Sequence, residues 1–154
     1  MSSFTLFDAV DCLFRRISQS IRANQQAGVE SADLDKSHLL ELESLFGQGL
    51  LSRAIGIVYG KQPVIAYCNF DGQCTFLGVP GSKYGTVYKV FPGINFCACE
   101  SFRDWVLKQQ RQPTCKHVLA ARLALILLRK KDEPLTGANS WLTLKQQFVA
   151  DCLK

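Results

Sequence analysis

Near the start of the chain, apolar residues recur at steps of three and four: Phe7, Val10, Leu13, Phe14, Ile17 and Ile21. That spacing places one stripe along a helix of about 3.6 residues per turn, so Thr5 to about Asn24 is predicted to be an amphipathic helix. Gly28 to Lys36 is small and polar and reads as a linker. Leu39, Leu40, Leu42, Leu45 and Phe46 predict a second, shorter helix, with Gly47 placed to end it.

From Arg53 to Phe96 the character shifts to β-branched and aromatic residues broken by turn signals. Ala54 to Tyr59, Val64 to Phe70, Cys74 to Val79 and Thr86 to Phe91 are the strand candidates. Asp71-Gly72 is the strongest hairpin signal among their connections. Short links favour antiparallel pairing, because parallel strands need a long crossover. After Cys99 the pattern turns helical again. Ser101 with Asp104 three residues on has the form of a capping box, Phe102, Trp105 and Val106 supply an apolar face, and Pro113 closes the segment. A longer helix is predicted from about Lys116 to Lys131, its cationic end matching the helix dipole. A last helix, about Ser140 to Leu153, presents Trp141, Leu144, Phe148 and Cys152. The expected fold is α+β: a small antiparallel β-meander flanked by N-terminal and C-terminal helices. Its parts are a helical region (1–50), a β-rich region (52–99), a metal module (97–117) and C-terminal helices (116–154), all in one domain of 1–154.

Composition supports a globular chain. Its 154 residues can bury a core without disulfide staples, and 47% of them are hydrophobic. The seven cysteines are an odd number at uneven spacings, and Met1 to Val10 lacks the basic and apolar regions of a secretory leader, so a reducing compartment is expected. The longest apolar stretch, Val118 to Leu128, contains Arg122 and falls short of the ~20 residues that cross a bilayer. No membrane span is expected. The net charge is +5, and its excess lies between Glu100 and Lys131.

One constellation carries chemistry. Cys97-Ala-Cys99, fifteen intervening residues and Cys115-Lys-His117 make two paired ligand sets. Zinc takes four such ligands in a tetrahedron, and Cys3His is a closed structural set that leaves no position for substrate. One structural Zn2+ held by Cys97, Cys99, Cys115 and His117 is therefore predicted. Cys115 would open a helix, where the positive dipole end favours its thiolate. Cysteines also pack as small hydrophobes. Cys12, Cys68, Cys74 and Cys152 join no comparable pattern, and they and His38 are assigned to core or surface. A catalyst would need an open zinc position or a nucleophile beside a base, so the chain reads as a binding protein and not an enzyme.

The order C-x-C, insert, C-x-H resembles the SWIM zinc-binding module, and Cys115-Lys-His117-Val-Leu-Ala120 matches its C-x-H-x-x-A form. That form, with short length, leading helices and the Glu43 to Gly47 run, resembles the SWIM-domain subunit of the Shu complex. The resemblance implies a nuclear role in homologous recombination. It also implies a RecA-like recombinase paralogue as obligate partner and support for recombinase filaments on single-stranded DNA, reached through the complex. The alternative is a SWIM-module protein that binds DNA directly through the basic stretch 103–131, with Phe102, Trp105 and Trp141 as stacking groups. Between Val118 and Leu128 only Arg122 is polar, so that helix is apolar nearly all round and must be covered on every side. Leu125 and Leu128 are the candidate partner contacts on it.

Overall fold

The structure, a computed structural model, describes residues 5–28, 33–136 and 140–153. Thr5 starts helix α1 (Leu6–Gln26) with a capping box: its hydroxyl accepts from the Asp8 N–H at 3.3 Å and its own N–H donates to the Asp8 carboxylate at 2.7 Å. Val10, Leu13, Phe14, Ile17 and Ile21 are buried as the periodicity predicts, whereas Phe7 is exposed. Of the predicted linker, residues 29–32 lie outside the described residues, and Lys36 already begins α2 (Lys36–Phe46) behind the N-cap Asp35.

Gly47, at φ +77°, ends α2 as predicted, but it leads straight into a third helix, α3 (Gln48–Val58). The expected strand Ala54 to Tyr59 is thus the second half of a helix, and the β-rich region starts at Val64 instead of 52. Leu50, Leu51, Ala54 and Val58 are buried at helical spacing, and α3 packs chiefly on the later helix α4. Burial of that stripe overrides the β preference of Ile55, Ile57 and Val58.

Strands β1 (Val64–Cys68), β2 (Cys74–Pro80) and β3 (Val87–Val90) form the predicted antiparallel meander, with Gly72 at φ +75° in the β1–β2 turn. A fourth strand was not foreseen. β4 (Lys130–Pro134) pairs parallel with β1, giving the order β3-β2-β1-β4. It takes the end of the predicted helix 116–131: α4 spans Lys116–Ile126, and the C-terminal region therefore holds a strand as well as helices. Its Lys-Lys-Asp-Glu-Pro sequence suits an open sheet edge, where charge and proline discourage further pairing.

Val64, Ala66, Leu77, Val79 and Val90 join the helices in one core, at whose centre Leu119, Ala120, Leu123 and Ala124 of α4 are completely buried. On the other sheet face Tyr67 stacks on Phe76 at 4.7 Å. Helix α5 (Trp141–Cys152), capped by Ser140, sets Trp141 against Phe76 and Phe148 against Phe91, at 6.3 and 5.0 Å between ring centres. The segment after Cys99 is a short π-helix, Phe102–Lys108. The Ser101 side chain caps nothing, and Asp104 pairs with Arg103 and Lys108. Among the described residues no helix is long and apolar enough to cross a membrane.

Candidate metal centre

Cys97 and Cys99 lie on the irregular stretch between β3 and the π-helix, while Cys115 is the N-cap of α4 and His117 sits in its first turn. All four side chains are buried, and their ligand atoms lie within 4.8 Å of one another. The His117 Nδ1 is 3.8 Å from the Cys97 sulfur and 4.0 Å from the Cys115 sulfur. Zinc–sulfur and zinc–nitrogen bonds of about 2.3 and 2.0–2.1 Å imply ligand–ligand edges only slightly shorter than these separations. Nδ1 is therefore the nitrogen that would ligate the metal, and Nε2 is buried without a hydrogen-bond partner among the described residues. The Tyr88 ring packs on the imidazole at 4.3 Å between centres.

The thiols themselves ask for a cation. Hydrogen bonds from Cys115 and Cys97 pull the Cys99 thiol well below its ordinary range, helped by the Phe102 N–H, which lies 3.3 Å from its sulfur. Cys97 is pushed far up by its contacts with Cys115 and Cys99 and by burial. Cys115 is drawn down by Cys97 but raised more by Cys99 and burial, to about 12. Three sulfurs packed this closely and buried resist ionising together. A bound dication that holds all three as thiolates removes that conflict. The donor set, its burial and its spacing fit one structural zinc ion.

Sequence reasoning missed the residues that hold the two ligand pairs together. The Asn95 side chain donates from Nδ2 to the Pro113 carbonyl at 2.9 Å and accepts at Oδ1 from the Thr114 hydroxyl at 2.7 Å. Their one signal in the sequence is position, two residues before Cys97 and one before Cys115. Ala120 is fully buried in α4, one turn beyond His117. Leu125 is half-buried on α4 and lines an apolar groove of 730 Å³ between α1, α4 and the segment after β3. Leu128 lies past the helix end and is 60% exposed. Cys12 and Cys152 are exposed, and His38 is buried in α2.

Most cations of the basic stretch 103–131 have partners within the chain. Arg103 and Lys108 pair with Asp104, Arg122 with Asp11, Arg129 with Asp33, Lys130 with Asp132 and Lys131 with Glu133. Arg111 lies over Trp105, and Lys116 bonds the Ser82 hydroxyl. Phe102 is buried and cannot stack on a base, whereas Trp105 and Trp141 are both exposed, Trp141 with one side against Phe76.

A closed, buried Cys3His set joining the irregular stretch after β3 to the start of a core helix defines a structural zinc-finger protein. The chain is similar to Zinc finger SWIM domain-containing protein 7 of Homo sapiens, with 30% identity over 98 residues, 64% of this chain and 67% of that protein. It belongs to the SWIM-domain zinc-finger proteins. No family model matches it, and no solved structure matches it significantly.

Proposed function

We propose that this chain is a non-catalytic, zinc-binding subunit of a Shu-type complex. In this reading it binds a RecA-like recombinase paralogue in the nucleus and so supports recombinase filaments on single-stranded DNA in homologous recombination and repair. The observation that carries the reading is the completed C-x-H-x-x-A form, in which Ala120 is fully buried in the core helix that bears His117. The groove beside α4 supports a partner role: the exposed Phe7 and Ile94 line it together with Leu125 and Ile126, with Asp11, Arg15 and Arg122 also on its walls.

Co-purification from cells, with mass-spectrometric identification, tests this. The native chain should bring down a chain with a RecA-like ATPase core, and His117→Ala should lose it together with the zinc. Leu125→Glu, which places a charge in the groove, should lose the partner while keeping zinc and fold. A native chain that captures no RecA-like protein overturns the reading.

The second reading, direct DNA contact, is favoured by one feature. A cleft of 470 Å³ beside the metal site is lined by Lys83, Lys89, Arg103 and Lys116, with Glu100 and Asp151, the partner of Lys89, on the same walls. If DNA binds there, the purified chain alone should shift single-stranded DNA at low salt, lose it steeply as salt rises, and lose it with Lys83→Glu plus Lys116→Glu. No shift at low salt removes this reading and leaves the first intact.

A further inference from the structure

Cys68 ends β1 and Cys74 begins β2, and the two face each other across the strand pair just above the Asn69–Gln73 turn. The hydrogen bonds identify the type of pair. The Asn69 N–H donates to the Gln73 carbonyl at 3.0 Å, while the Cys68 carbonyl points the other way and accepts from the Leu135 N–H at 3.0 Å. Cys68 and Cys74 are therefore a non-hydrogen-bonded pair, the kind whose Cα atoms approach to about 4.5 Å and whose side chains lie closest. A disulfide spans Cα separations of about 4.4–6.8 Å.

The pairing depends on a bulge. Tyr67 faces Phe76 but Cys68 faces Cys74, so Thr75 is an extra residue on β2. In an unbulged register continuing from Tyr67–Phe76, Thr75 would face Cys68 instead. Bulges re-aim side chains at positions where the sheet has a use for them. Both thiols are free and only partly buried, and neither belongs to the metal group.

We propose that Cys68 and Cys74 are a covalent-modification site, a vicinal dithiol that a small disulfide of the glutathione class closes to a cross-strand disulfide and that a thiol reductant reopens. The site is independent of the zinc-subunit role proposed above. Cys68 loses its proton to solvent, and its thiolate attacks one sulfur of glutathione disulfide. The glutathione S–S bond breaks, one glutathione leaves as a thiol, and Cys68 carries the other as a mixed disulfide. Cys74 then loses its proton and attacks the Cys68 sulfur, so that the Cys68–Cys74 bond forms and the second glutathione leaves. Two protein thiols are oxidised by two electrons and one glutathione disulfide is reduced to two thiols. The more exposed Cys68 attacks first. Burial, with the neighbouring Cys68, pushes the Cys74 thiol up to about 11, and burial with Asp132 raises Cys68 as well. Exchange is therefore slow at neutral pH and quickens as pH rises, because the thiolate is the nucleophile.

The test incubates the zinc-loaded chain with glutathione disulfide, followed by intact mass, peptide mapping and zinc content. The expected result is loss of two hydrogen atoms, mapped to one bond between Cys68 and Cys74, with zinc retained and the change reversed by dithiothreitol. Cys74→Ser should instead hold a lasting glutathione adduct on Cys68, its zinc content showing that the variant is folded. Glutathione adducts on both cysteines of the native chain without closure, or a first disulfide that joins other cysteines, would overturn the proposal.

Discussion

The Thr114 hydroxyl donates to the Asn95 side-chain oxygen at 2.7 Å, and that bond ties together the two halves of the metal site. Cys97 and Cys99 come from the irregular stretch after β3 and Cys115 and His117 from the start of α4, with the π-helix and its following loop between them. Asn95 reaches across this gap twice, since its amide also donates to the Pro113 carbonyl at 2.9 Å. Thr114 is buried, so its bond lies where water competes poorly.

Asn95→Ala removes both bonds and leaves the Thr114 hydroxyl and the Pro113 carbonyl without them. An unsatisfied buried polar group costs about 1–3 kcal/mol, and loss of the groups that orient metal ligands typically weakens metal binding by about 10–100-fold. We expect a lower melting temperature and zinc affinity reduced within that range, read by thermal denaturation and by competition with a chelator. Asn95→Asp should fall between, because a carboxylate still accepts from Thr114 but cannot donate to Pro113. Unchanged zinc affinity in Asn95→Ala would show that the clamp does not position the ligands.

Metal analysis should find one zinc per chain. Structural zinc contributes ~10–16 kcal/mol in peptide systems, as much as or more than the ~5–15 kcal/mol stability of a whole domain. Cys97→Ser and Cys115→Ser should therefore lower soluble yield and loosen α4, while Cys68→Ser and Cys74→Ser keep their zinc. Without metal, the Cys97 and Cys115 thiols are held above their ordinary values, so zinc must displace their protons. Zinc affinity should then fall as pH falls, measured by chelator competition at several pH values. Folded, soluble protein with well under one zinc per chain would refute the site.

The metal site was legible because zinc demands particular residue types at short spacings, and the four ligands meet as the pattern requires. Most helices were legible for a similar reason: burial stripes such as Val10 to Ile21 leave a period of three and four. The misses come from places where distant packing decides. Ile55, Ile57 and Val58 favour a strand by type, yet α4 offers them a helical surface. β4 carries no apolar alternation at all and exists because β1 has an edge to pair with. Cys68 and Cys74 could not be matched from spacing, since a one-residue bulge decides which residue of β2 faces Cys68.

Ala120 gives a sharper packing test than the ligands do. It is completely buried in α4, one turn beyond His117. Ala120→Leu adds three carbons where there is no space for them, and overpacking of this kind costs about 1–3 kcal/mol. Ala120→Gly, which removes one carbon from a helix interior, should cost about 1 kcal/mol. Thermal melts of the two variants should both fall, with Leu the lower. A Leu variant as stable as the native chain would mean that a larger side chain is accommodated there.

Leu128 is the residue at which stability and recognition can be separated. It stops α4 in a Schellman turn: the Arg129 N–H reaches the Ala124 carbonyl at 3.0 Å and the Leu128 N–H the Leu125 carbonyl at 3.4 Å, with Leu128 at φ +54°. Glycine ordinarily occupies that position, and its absence is why the helix could be expected to continue to Lys131. A left-handed conformation costs a residue with a Cβ about 1–2 kcal/mol, while a side chain 60% exposed forfeits little burial when removed. Leu128→Gly should therefore raise stability by about 1 kcal/mol, and Leu128→Val, branched at Cβ, should lower it; denaturant titration reads both. If Leu128 contacts the RecA-like partner proposed above, the glycine variant will be more stable yet copurify less of it. If copurification is unchanged while stability rises, the proposed partner surface does not extend to Leu128.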